Sequence, residues 1–321
     1  MAKAALSDPI FNDEQKAREW LEKRLWPDGP ICPKCGVVDE ATLLKGETTR
    51  PGLYQCNACR KPFSVTVGTL YERSKIPLNK WLAATYLLQS SKKGISALQI
   101  HRTLGVSKKT AWFLMHRIRE SLRAPGGEPP MGSGGGSVEV DETYFGTNPN
   151  ARVGKKRNLQ NQNRVLTLID RDTGRARSML MSEFSAASVS PVLEANIAQE
   201  ARLLTDEASV YKKPGKAFAA HGSVKHGVGE YVSKADRTVH TNTVESYFST
   251  FKRGMRGIYQ HCSAAHLHRY VAEFDFRYSN RMALGVDDQE RFERSLSGIV
   301  GKRLTYRRTR RAEEAADEIP F

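Results

Sequence analysis

Apolar and charged residues alternate at helical spacing through FNDEQKAREWLEKRLW, residues 11–26, and place Trp20, Leu21, Leu25 and Trp26 on one face; this predicts a short amphipathic helix. A turn-rich segment, PDGPICPKCG, comes next, followed by two short strand-like runs ending in YQCNACRKPFSVTVGT. From Ile76 to Leu122 the pattern is helical, and GISALQIHRTLGVSKKTAWFLMHRIRESL, residues 94–122, divides into two helices across a short turn. The stretch EPPMGSGGGS, residues 128–137, has the composition of a flexible linker. Beyond it VEVDETYFG reads as a strand, and RVLTLIDRDTGRARSMLM as a hairpin turning at DRDTG. SVSPVLEANIAQE predicts a helix and ARLLTDEASVY a buried strand running into a loop, with further helices at about 241–256 and 263–281. The end, KRLTYRRTRRAEEAADEIPF, is rich in charge without a core signal. A multidomain α+β chain is expected, with boundaries at 1–72, 73–127, 128–137 (the linker), 138–285 and 286–321 (a basic tail).

At 321 residues the chain is too long for one small domain, and 39% hydrophobic positions suffice for a core. Lysine and arginine outnumber aspartate and glutamate by 50 to 35, and the formal charge of +15 favours a polyanionic partner through phosphate neutralisation. No apolar run approaches the roughly 20 residues that span a bilayer, so no membrane partner is expected. The segment MAKAALSDPIFNDEQKAREW lacks the apolar stretch of a signal peptide, which points to a cytoplasmic location.

Five cysteines, four of them in two C-x-x-C pairs, suit metal in a reducing compartment better than disulfides. Cys32 with Cys35 and Cys56 with Cys59 form two knuckles about twenty residues apart, a spacing that fits a structural zinc ribbon in the 1–72 region. Pro33 and Gly36 give the first knuckle its tight turn, and Asn57 and Ala58 the second. Cys262 stands alone. In the helix-turn-helix of region 73–127, Ser96 and Ser107 are expected to cap, Gly105 to free the turn, and Leu98, Ile100, Leu104, Ala111, Leu114 or Phe113, and Ile118 to face inward. Lys108, Lys109 and Thr110 then point to bases, and Arg117 and Arg119 to phosphates, while His101 and His116 read as surface or interface residues.

Asp141 stands near the end of a strand whose alternate residues Val138 and Val140 are apolar, and Asp206 ends another after Leu203 and Leu204. In HTNTVESYFSTFKRG, residues 240–254, Glu245 and Lys252 are seven positions apart and lie almost in line along a helix, with Tyr247, Phe248 and Phe251 on other faces. Aspartates on neighbouring strand ends can share a hard divalent cation. Against this stands a capping box, Asn242 as cap and Glu245 bonding back to it.

VEVDETYFG, LLTDEASVY, HTNTVESYFSTFKRG and HLHRYVAEFDFRYSNR resemble the DDE-type transposases of bacterial insertion sequences, in particular the ISXO-like group with a zinc ribbon ahead of the catalytic domain. The resemblance implies an RNase H-like α/β domain with a mixed sheet over 138–285. It also implies catalytic acids at Asp141, Asp206 and Glu245, with Lys252 the basic residue beyond them and Asn242 a possible auxiliary, since asparagine occurs at the third position in some members. Two magnesium ions, replaceable by manganese, are implied alongside the zinc. The implied partner is double-stranded DNA, both transposon ends and target, handled by a dimer or larger assembly on the bacterial nucleoid. Lys155, Lys156 and Arg157 in NARVGKKRNLQNQNR, together with Arg253 and Arg256, are expected to grip flanking duplex. A DNA-binding regulator with an idle domain, or a nuclease that cuts without joining, are the competing expectations.

Overall fold

The computed structural model describes residues 5–123, 126–147 and 162–305. They pack as two units, the first made of described residues through Leu88, Ala97–Ser121 and those from Phe292 onward, the second of Gln89–Ser96 and Leu122–Arg291. Among the described residues no helix is long and apolar enough to cross a membrane.

In the first unit helix α1 (Glu14–Leu25) starts where the Asp13 carboxylate accepts from the amides of Gln15 and Lys16, and it buries Ala17 and Leu21. Three short antiparallel strands, β1 (Ala41–Leu43), β2 (Tyr54–Cys56) and β3 (Pro62–Phe63), form the ribbon sheet in that order. Its core is small: Cys32, Cys56 and Phe63, packed by Trp26 and Tyr54. Helices α2 (Leu78–Ser90), α3 (Ala97–Leu104) and α4 (Lys108–Ser121) follow. Gly105 takes φ +61° in the turn, and Ser107 Oγ accepts from the Thr110 amide at 3.1 Å, so the α3–α4 turn forms as its residues dictate. Ile100, Ala111, Leu114 and Ile118 are buried as expected, whereas Leu98 is 50% exposed.

The second unit is a five-stranded sheet with helices on both faces. Its strands are β4 (Ser137–Phe145), β5 (Asn163–Asp170), β6 (Ala176–Met181), β7 (Arg202–Asp206) and β8 (Ala220–Val224), in spatial order β6-β5-β4-β7-β8. The first three pair antiparallel, and β7 and β8 join parallel. This is the mixed sheet the sequence leads one to expect. Even-numbered Val138, Val140, Leu166 and Leu168, with Leu203 of β7, pack under helix α5 (Ala186–Asn196), which Ser185 opens with a capping box to Ser188. A short helix α6 (Ser209–Lys212) places Tyr211 in the same cluster. On the other face Val165 and Ile169 pack against α7 (Asn242–Gly254) and α8 (Ala264–Ser279), through Val244, Tyr247, Phe248 and Phe251 of the first and Leu267, Val271 and Phe274 of the second. The last helix, α9 (Asp288–Leu296), passes from the second unit into the first at Phe292.

Three expectations are corrected here. Residues 128–137 are no free linker. Met131 is buried, bridges Ile197 in parallel fashion and exchanges hydrogen bonds with Asn196 and Ala198, while Glu128 is clamped by Arg175 and Arg177 at 2.7 and 2.8 Å. Gly132 and Gly136 serve packing: a Cβ on Gly132 would come within 2.6 Å of Ala201, and one on Gly136 within 2.3 Å of the Asp172 carboxylate. Nor does the tail begin at 286, because Phe292, Leu296 and Ile299 are fully buried in the first unit, with Phe292 stacked on Trp20 at 5.5 Å. Strand β8 was not expected at all. Its AHGSV has no apolar alternation because it is an edge strand that buries only Val224 fully, and a Cβ on Gly222 would sit 2.9 Å from Val239. The charge-rich end beyond residue 305 lies outside the described residues.

Candidate active site and nucleic-acid surfaces

The parallel register of β4 and β7 sets Val138 opposite Leu203 and Glu139 opposite Leu204. Carried two residues on, the same register places Asp141 beside Asp206. Both share the face of Glu139 and Leu204, the face on which α7 lies, because side chains alternate along a strand. The apolar stripe of α7 (Val244, Tyr247, Phe248, Phe251) is turned to the sheet, and Glu245 stands outside it with its side chain 41% exposed. The acids feel one another. Burial pushes the Asp141 carboxyl up to about 8, and the charges of Glu142, Asp206 and Glu245 add to the effect. Lys252, half-buried two turns along α7, is held below its ordinary value by burial and by Arg256, while Asp141 pulls it the other way. Asp141, Asp206, Glu245 and Lys252 thus share one electrostatic neighbourhood.

The donor chemistry fits a hard divalent ion: carboxylate oxygens on neighbouring elements, with the Asp141 carboxyl raised mainly by burial and further by the acids around it. Among the described residues, only the four cysteines form a set of three or more ligand-type groups whose ligating atoms all lie within 4.8 Å of one another. The acids are more loosely arranged, and a pair of ions held roughly 3.5–4 Å apart does not require such closure.

What holds α7 against the sheet is a residue the motif reading passed over. Glu139 is fully buried; its carboxylate accepts from the amides of Thr243 and Val244, both at 2.9 Å, and from the Thr243 hydroxyl at 2.6 Å. It therefore serves the unsatisfied amides in the first turn of α7 from a strand a hundred residues away. Arg171 donates to Glu139 at 2.6 Å and to the carbonyls of Thr238 and His240, tying the approach to α7 into the same network. The capping box is absent: Thr241 is the cap position, Asn242 is the exposed first helical residue, and Glu245 instead accepts from the Thr241 hydroxyl at 3.4 Å. His226, just past β8, was also missed. Its Nε2 lies 3.3 Å from Glu245 Oε1 and 3.0 Å from Thr241 Oγ1. An isolated histidine in a glycine-rich loop gives no motif signal; only the end of an unrecognised strand places it here.

In the ribbon the Sγ atoms of Cys32 and Cys59 are 3.7 Å apart and those of Cys35 and Cys56 are 3.6 Å apart. A zinc–sulfur bond of about 2.3 Å puts the corners of a tetrahedron about 3.8 Å apart, so the four thiols fit zinc.

The basic residues divide. Lys108 and Lys109 are exposed at the start of α4, and the Thr110 hydroxyl is engaged with Ser107. Arg117 and Arg119, expected on phosphates, are buried. Arg117 donates to the Glu72 carbonyl and lies 5.1 Å above the Trp81 ring, so its guanidinium serves the helical core. His116 is buried too, against Trp112. Arg253 is exposed on the last turn of α7 and bonds back to Ser249, and Arg256 is exposed in the π-helical turn Met255–Tyr259 that follows. Lys155, Lys156 and Arg157 lie outside the described residues.

Residues 134–279 match the family described as the ISXO2-like transposase domain, and residues 12–62 match the transposase zinc-ribbon domain. A relative from Halobacterium salinarum, described as an uncharacterized protein in transposable element ISH50, is 29% identical over 285 residues, which is 83% of this chain and 91% of that one. Among solved structures, the catalytic core domain of BIV integrase is similar over 44% of this chain and 82% of its own, with 11% identity and a TM-score of 0.26. A simian T-cell lymphotropic virus intasome is similar over 61% of this chain and 65% of its own, again with 11% identity and a TM-score of 0.28.

Proposed function

We propose that this chain, which combines an ISXO2-like DDE transposase domain with an N-terminal transposase zinc ribbon, binds the ends of an insertion element, cleaves them and joins the freed 3′-hydroxyls to target DNA. The observation that supports it best is the shared register of Asp141 and Asp206 on adjacent parallel strands, on the face where α7 presents Glu245. In this reading Asp141, Asp206 and Glu245 hold two magnesium or manganese ions, which supply Lewis acidity and an activated oxygen nucleophile for in-line phosphoryl transfer. Glu139 and Arg171 fix the helix that carries Glu245. Lys252, two turns along the same helix, pairs with a phosphate oxygen. Lys108, Lys109 and Thr110 lead α4 into a major groove, while Arg253 and Arg256 meet backbone near the acids. Zinc on Cys32, Cys35, Cys56 and Cys59 stabilises the ribbon, and the protein acts as a dimer or larger assembly across paired ends.

The test incubates protein with magnesium, an end-bearing duplex and supercoiled plasmid. Joined products are expected from the wild type and none from Asp141→Asn or Asp206→Asn, with duplex binding unchanged in both. Cleavage without joining would make the protein a nuclease, and intact DNA with tight binding would make it a regulator.

A further inference from the structure

The carboxyl ends of the parallel strands β7, at Asp206, and β8, whose Val224 is paired with Asp206, lie side by side at the acid site, next to Asp141 in the middle of β4. Such strand ends are where sheets of this kind place ligands. The first contribution of β8 past its end is His226, in a turn fixed by the Gly227 amide donating to Glu207 at 2.8 Å. Its ring is backed by Tyr231 at 5.2 Å, and its Nε2 faces Glu245 Oε1 at 3.3 Å. Two ligands in adjacent positions on an octahedral ion with bonds of about 2.1 Å stand about 3 Å apart. The imidazole nitrogen and the carboxylate oxygen therefore already have the spacing of two donors to one cation.

Resting on the acid-site reading above, we propose that His226 is a further metal ligand, donating Nε2 to the divalent ion that Glu245 holds. A nitrogen donor suits manganese better than magnesium, which prefers an all-oxygen shell. The site then combines three carboxylates with one imidazole, and its preference for manganese comes from β8, the strand without a sequence signature.

The test uses full-length protein and Mn²⁺ alone, read by electron spin-echo envelope modulation and by titration calorimetry. Wild type is expected to show ¹⁴N coupling from one imidazole. The coupling should vanish in His226→Ala and in His226→Gln, the latter preserving a side chain that can reach the Thr241 hydroxyl, and the manganese-over-magnesium preference should narrow by roughly tenfold. Two results would overturn the assignment: bound manganese without ¹⁴N coupling in the wild type, or coupling that persists in His226→Ala. Asp141→Asn separates the two levels. If it abolishes manganese binding while wild type shows no nitrogen coupling, the acid site stands and His226 falls; if it binds manganese as tightly as wild type, the acid site itself is wrong.

Discussion

With its carboxyl pushed up to about 8, Asp141 keeps its proton at neutral pH until a cation displaces it. Magnesium binding at pH 7 should therefore release close to one proton, and the release should fade as pH rises past 8; calorimetry in buffers of different ionisation enthalpy measures it. Stability follows with a definite sign. The folded chain holds this proton more tightly than the unfolded chain, whose aspartate titrates near 3.8, so the ion-free protein gains stability from it at low pH and loses that gain as pH rises from about 4 through 8. Asp141→Asn should flatten this slope in urea titrations. At the third position, Glu245→Gln should cost metal affinity and strand transfer, while Asn242→Ala should leave both near wild type, since Asn242 is an exposed first-turn residue and not the cap. The reverse result would move the ligand to Asn242. These acids were visible in the sequence because each follows an apolar strand or shares a helical line with a lysine. Glu139 and His226 were not, because their partners lie elsewhere in the chain: one answers amides 104 residues away, the other depends on a strand with no alternation.

At the scale of elements, α7 is positioned by a buried carboxylate as much as by its apolar stripe. Replacing Glu139 with alanine leaves two helix amides without their acceptor and the Arg171 guanidinium without its carboxylate partner, which should cost roughly 3–5 kcal/mol in denaturant unfolding. A double-mutant cycle of Glu139→Gln with Arg171→Met should show strong coupling, since the two side chains share one network. For α4 the two classes of basic residue predict opposite outcomes. Lys108→Ala with Lys109→Ala should weaken duplex binding and lower the salt slope by about one for each phosphate contact removed, with the melting temperature unchanged. Arg117→Ala should instead lower the melting temperature, through the lost stacking on Trp81. Helical periodicity located α4 correctly but could not say which of its basic residues faced the core. Glycine composition misled in the same way at 128–137: glycines that allow close approach and glycines that allow motion look alike in one dimension.

At the scale of the whole molecule, the surplus of 50 basic over 35 acidic residues is carried by a chain with one unit that reads as a DNA reader and one that reads as its chemistry. Cys32→Ser with Cys35→Ser should release zinc, measurable with a chromogenic chelator, and weaken duplex binding while leaving magnesium affinity intact. The first unit is assembled from both extremities of the described chain: Phe292, stacked on Trp20 and edge-on to Phe11, is supplied only after the whole of the second unit has been made. Phe292→Ala should cost roughly 3–5 kcal/mol through the cavity it leaves beneath α1. On the ribosome, the amino-terminal unit acquires this part of its core only when the closing helix emerges, so products of premature stop codons would lack the aromatic plug beneath α1.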